Sequence, residues 1–145
     1  MINYLNAITF QQSHPKAYGK WCAAEELLWK SDSQNQLTTI GHLCREAGQE
    51  FADDLVKHYQ PPDVTTDKTK TKDRLKAVIR KKVIEVGETK ESFYDALIAY
   101  WYTLIDLVQR QEHAGLKEGQ PLTWEDGRIV VFNTLIVMFE IDKAL

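Results

Sequence analysis

Apolar residues along this chain recur every three to four positions in five separate stretches, and no stretch alternates with the period of two that a strand requires. The first helical segment runs from Pro15 or Lys16 to Lys30, where Ser31-Asp32-Ser33-Gln34-Asn35 interrupts it. Proline suits a helix start because its missing N–H would have no intrahelical partner there. The second runs from about Thr39 to Tyr59, with Thr38 or Thr39 as cap. Its Ile40, Leu43, Cys44, Ala47, Phe51 and Leu55 form one stripe, and Pro61-Pro62 ends it. Residues 60–72 have no apolar periodicity and read as a mobile linker. The third segment lines Leu75, Val78, Ile79, Val83 and Val86 along one face and stops at Gly87.

The fourth begins near Thr89, carries Phe93, Leu97, Tyr100, Trp101, Leu104 and Val108 on one side, and fades at Ala114-Gly115. The fifth opens at "TWED", where Thr123 and Asp126 suit a reciprocal capping pair, and continues to Leu145. Between Ile129 and Ile141 its apolar residues cover most of the circumference, the pattern of a helix buried on most sides. Asp126, Asn133 and Glu140 recur every seven residues along it as a polar seam, whose members need partners if they are buried. The pattern predicts an all-α, up-and-down bundle of about five helices with the last one largely buried.

At 145 residues the chain has the length of one domain, and residues 1–145 read as a single bundle able to bury a substantial core. The longest apolar run, Ile129 to Phe139, is 11 residues and includes Asn133 and Thr134, short of the roughly 18 a membrane span requires. The N-terminus lacks the basic start and apolar core of a signal peptide, so a cytoplasmic protein without membrane contact is expected. Cys22 and Cys44 could form one disulfide, but each sits among apolar helical positions and reads as a small buried hydrophobe. No cysteine or histidine spacing fits zinc, so neither metal nor cofactor is expected. Phosphate-cradling glycine loops, a Gly-x-Ser-x-Gly elbow and a His-Glu-x-x-His pair are absent from the sequence.

The net charge of −3 argues against a protein that coats nucleic acid, but the charge is unevenly spread. Lys68, Lys70, Lys72, Arg74, Lys76, Arg80, Lys81 and Lys82 face a single acid, Asp73, between positions 68 and 82. Such a segment attracts phosphate, with Lys72, Arg74, Arg80 and Lys81 as its candidate ligands, although lysine-rich helix faces are also commonly just solvated.

Two side-chain constellations carry candidate chemistry. In the second segment His42, Arg45, Glu46 and Gln49 share one face, flanked by the small residues Gly41, Gly48 and Ala52. Two glycines within one helix cost on the order of 1 kcal/mol each, so a close helix or a ligand should compensate. In the fourth segment Tyr102, Asp106, Arg110 and His113 lie on or near the face opposite the apolar stripe. Asp106 can pair with Arg110 a turn later, and both cations suit a helix C-terminus, which is a sufficient structural explanation for them.

The Arg-Gln-Glu-His stretch at 110–113, closing a long helix before a loop and followed by an apolar helix, resembles the HEPN superfamily, helical-bundle domains of bacterial toxin–antitoxin, abortive-infection and CRISPR-associated systems. Arg110, the polar Gln111 and His113 stand for that family's Arg…His motif, with a spacing shorter than is usual there. The resemblance covers the second half of the chain. It implies metal-independent endoribonuclease activity, with Arg110 holding phosphate, His113 moving the proton at the ribose 2′-OH and Asp106 orienting Arg110. It further implies a homodimer, RNA as a partner, and a cognate antitoxin or defence-system protein. Two other readings stay open from the residues themselves. One is a non-catalytic interaction module, accessory or antitoxin-like, that uses the Asp126/Asn133/Glu140 seam. The other is a small-ligand or nucleotide-binding bundle that uses His42, Arg45, Glu46 and Gln49.

Overall fold

The computed structural model describes residues 7–109 and 121–145. Among them the chain is an all-α helical bundle. Its helices are α1 (Ala7–Ser13), α2 (Pro15–Leu28), α3 (Leu37–Tyr59), α4 (Thr71–Lys81), α5 (Val83–Val86), α6 (Glu88–Gln109) and α7 (Trp124–Ala144), with a 3-10 turn at Ser33–Gln36. The four long segments α2, α3, α6 and α7 correspond to sequence stripes. The third stripe is divided at Lys82 into α4 and α5, and α1 has no counterpart among the five.

Helix α3 is the hub, packing against α2, α4, α6 and α7. Its stripe of Ile40, Cys44, Ala47, Phe51 and Leu55 is buried as the spacing predicts. Helix α7 is buried along Val130, Val131, Thr134, Leu135, Val137, Met138, Phe139 and Ile141. Two tryptophans tie α2 to α7: Trp21 Nε1 donates to the Val131 carbonyl at 2.7 Å, and Trp124 Nε1 to the Leu28 carbonyl at 2.8 Å. Each indole N–H thereby keeps an acceptor, while the Trp21 ring fills the core and the half-buried Trp124 ring packs against it.

The ends of the helices follow local chemistry. Pro15 occupies the first turn of α2. The Thr123 side chain accepts from the Asp126 N–H at 3.3 Å, and the Thr123 N–H donates to Asp126 Oδ2 at 2.9 Å, completing the expected capping box of α7. Gly87, at φ +88°, ends α5 in a backbone region that side-chain-bearing residues avoid. Asn133 of the polar seam donates to the Ile129 carbonyl of its own helix at 2.8 Å.

The α6 stripe differs from its expectation. Ile98, Trp101, Leu104, Ile105 and Val108 are buried, whereas Phe93 and Tyr100 are 55% and 45% exposed. The neighbouring helices cover one side of α6, and the apolar residues of this helix exceed what that side can take. Local bonds mark both ends of residues 60–70. Gln60 is left-handed at the end of α3, Pro61 is buried, and Asp67 Oδ1 accepts from both the N–H and the hydroxyl of Thr69. No described helix is long and apolar enough to cross a membrane. Both cysteines are free.

Candidate functional site

The two constellations read separately from the sequence meet in space. Arg45 and Gln49 of α3 and Asp106 of α6 line one cleft of about 190 Å³, together with Trp101, Tyr102 and Thr71. Helix α3 crosses α6 where Gly48 abuts the Trp101 indole, so residues 45 and 49, on either side of Gly48, face residues 102 and 106. Thr71 is the first residue of α4, so that helix opens on the same cleft.

The remaining members of the α3 face go elsewhere. Glu46 binds Lys20 of α2 at 2.8 Å, and His42 is exposed. Arg110 and His113 lie outside the described residues; Asp106, on the α6 face that precedes them in the chain, is exposed at the cleft.

Trp101, in the cleft wall, and Arg74, which does not line it, each hold a buried donor without an acceptor. Trp101 is 3% exposed, and its Nε1 has no hydrogen-bond partner among the described residues. Arg74, one turn into α4, is 4% exposed and donates from Nη2 to Asp53 Oδ1 at 3.0 Å. Its Nε and Nη1 have no acceptor. Helix α4 has no side-chain N-cap of its own; the hydroxyl of Tyr102 accepts from the Lys72 N–H at 2.9 Å instead. Tyr102 thus does for α4, from 30 residues away, what a side-chain N-cap does locally.

The basic segment divides into three environments. Arg74 is withdrawn into the core by Asp53, which Lys57 at 2.9 Å and Lys68 at 3.6 Å also approach. Burial pushes the Asp53 carboxyl up, but its contacts with Lys57, Arg74 and Lys68 outweigh that and hold it below the usual carboxylate value. Lys81 Nζ donates to the Tyr59 and Gln60 carbonyls, neutralising the C-terminal end of α3. Lys72 and Arg80 remain exposed. Arg80 joins Lys76 and Lys81 along a second cavity of about 600 Å³, beside the Pro62–Thr65 turn and Asp73.

A third cavity, of about 560 Å³, has His14 in its wall. Sequence reasoning passed over this histidine, which is 6% exposed between α1 and α2. Its Nδ1 lies 3.0 Å from Asp54 Oδ2 and its Nε2 2.8 Å from Asp142 Oδ1. The ring also packs on Phe10 and Phe51. A neutral imidazole has a single N–H, so both contacts are satisfied together only by the cation. Burial pulls the His14 pKa down, but the hydrogen bonds and charges of Asp142 and Asp54 more than offset it and raise it above 6.5. With both nitrogens occupied, His14 ties α1 to α3 and α7 and has no free lone pair for base catalysis. No local motif announces it, because its partners lie 40 and 128 residues away in sequence.

Among the described residues no group of three or more histidine, cysteine, aspartate or glutamate side chains could hold a metal ion. Compared with family models, curated proteins and solved structures, the chain matches none of them.

Proposed function

We propose that this bundle is a HEPN-like domain that binds RNA through the cleft between α3 and α6 and cleaves it without a metal. The observation that carries the reading is the shared position of Arg45, Gln49 and Asp106 around one cleft, beside a buried tryptophan donor that lacks an acceptor. Asp106 precedes Arg110 by four residues and His113 by seven, so the Arg…His motif continues the chain from this cleft. The exposed cations Lys72 and Arg80, with Lys76, supply the field that draws the RNA backbone toward it.

In the reaction the ribose 2′ oxygen attacks the adjacent phosphorus and the bond to the 5′ oxygen breaks. The products are a 2′,3′-cyclic phosphate and a 5′-hydroxyl. His113 takes the 2′-OH proton or returns one to the leaving oxygen, as an imidazole titrating near neutrality can. Arg110 spans two phosphate oxygens as charge builds on them, and Asp106 is a positioning residue for Arg110. The domain works as a homodimer within a bacterial defence or toxin–antitoxin system.

The test is cleavage of total RNA and of a transfer RNA pool in EDTA by the purified protein. Cyclic-phosphate ends, lost in Arg110→Ala and His113→Ala but kept in His42→Ala, support the nuclease. A folded protein that cleaves nothing across a range of salt leaves the second reading, a non-catalytic interaction module. The exposure of Phe93 and Tyr100, two turns apart on α6, favours that alternative. Light scattering checks the dimer separately, and a monomer at high micromolar concentration removes it.

A further inference from the structure

His14 stands at the junction of α1 and α2 with a carboxylate at each ring nitrogen, and we propose that it is a proton-controlled latch, which holds α1 closed on the bundle and releases it when the ring loses its proton. This inference is independent of the RNA reading above.

Little else holds α1. Among residues 8–13 only Phe10 is buried, its ring centroid 5.9 Å from that of Phe51 and 6.4 Å from that of Tyr18. Ile8, two positions earlier, is 71% exposed. A helix of seven residues is too short to persist without tertiary contacts. His14 follows it directly, and the His14 backbone, at φ −133° and ψ 64°, interrupts the helix between α1 and α2. Hinge and latch therefore share one residue.

The charge of the ring decides how many ties it makes. As a cation it donates from Nδ1 to Asp54 Oδ2 on α3 at 3.0 Å and from Nε2 to Asp142 Oδ1 on α7 at 2.8 Å. A neutral imidazole keeps one N–H, so its other nitrogen turns a lone pair on a carboxylate oxygen. That contact is repulsive, and one tie opens. Asp54 and Asp142 are 31% and 32% exposed, so the freed carboxylate regains water readily. The other titratable groups around the ring are few. From Ala7 to Ser13 α1 has none, α2 brings Tyr18, and α7 brings only Asp142 to the neighbouring cavity of about 560 Å³. Helix α3 adds Lys57, His58 and Tyr59 to the wall of that cavity. Lys57 is drawn to Asp53 at 2.9 Å, and the exposed His58 packs edge-on against Tyr59. Release of α1 lifts Phe10 from Phe51 and opens this cavity further.

The experiment is hydrogen exchange of the full chain between pH 5 and pH 9, read by mass spectrometry as protection factors corrected for the intrinsic rate. In wild type, protection of residues 8–13 is highest below 6.5, falls about tenfold per pH unit up to the raised His14 value, and then levels off. Amides of α3 keep theirs. His14→Gln carries one donor and one acceptor, like the neutral ring, so its α1 is weakly protected at every pH. Asp142→Asn offers an amide donor to the bare lone pair, so neutral His14 keeps both ties and α1 stays protected at pH 9. A merely structural histidine gives no such alkaline rescue, and this variant decides the matter even where His14→Gln fails to fold. His58→Gln keeps the wild-type profile. The latch is overturned by a flat wild-type profile, by a loss shared equally with α3, by a wild-type slope in Asp142→Asn, or by a flat profile in His58→Gln.

Discussion

Gly48 of α3 and Trp101 of α6 are in direct contact, and a methyl group at position 48 would overlap the indole. The glycine lets the two helices approach closely and sets the cleft that holds Arg45, Gln49 and Asp106. Gly48→Ala gains helix propensity but overpacks this crossing. The expected outcome is a net loss of roughly 1–3 kcal/mol, measured by chemical denaturation. A stabilised Gly48→Ala protein would show that the contact is loose.

The buried pair of Asp53 and Arg74 makes a stronger prediction. Asp53→Asn leaves a guanidinium at 4% exposure without its carboxylate, at a cost of about 3–5 kcal/mol at neutral pH. Replacing both residues with apolar ones, Asp53→Leu with Arg74→Met, should recover much of that loss. The folded Asp53 pKa is depressed, so its contribution is present above the ordinary value of 3.8 and disappears as pH falls through the lower folded value. The gap between wild type and Asp53→Asn should therefore close in acid, as denaturation curves across pH will show.

His14 titrates with the opposite sign. Its folded pKa is raised, so the stability it adds is fully present below 6.5 and is lost as pH rises through the folded value. His14→Gln should cost more stability at pH 6 than at pH 9. The His14 ring proton, followed by NMR, should titrate above the ordinary histidine value.

The thiols should separate under a thiol reagent. Burial pushes the Cys44 thiol up to about 12, and Cys44 is fully enclosed, whereas Cys22 is half-buried. At mildly alkaline pH the folded protein should label Cys22 alone, slowly because burial raises its pKa as well, and the unfolded protein both. Mass spectrometry reads the count, and rapid labelling of Cys44 in the folded state would contradict its burial.

Local signals made the long helices legible. The period of the α3 stripe, Pro15 at the start of α2, Gly87 after α5 and the Thr123/Asp126 box are all short-range features that tertiary packing reinforces. Helix α1 was invisible because it is seven residues long and anchored by Phe10, whose ring packs on Phe51 some forty positions on. Arg74 reads as one more surface cation, yet its face of α4 also carries Thr71 and Val78, both buried. Only its distant partner Asp53 explains its position. The same limit applies to the candidate site. Arg45, Gln49 and Asp106 are each recognisable as polar members of a helix face, but their meeting depends on the α3–α6 crossing at Gly48, which no local pattern specifies. Arg110 and His113 remain a reading of the sequence motif, since they lie outside the described residues.

The central claim is that the Arg45 cleft engages the phosphate backbone of RNA. Fluorescence anisotropy of a labelled single-stranded RNA, measured across salt concentrations for wild type, Arg45→Gln and the α7 control Arg128→Gln, tests it most directly. Arg45→Gln should bind about tenfold more weakly, with a salt slope smaller by about one, while Arg128→Gln matches wild type. RNA affinity identical in all three proteins, or no binding by the folded wild type, would contradict the account.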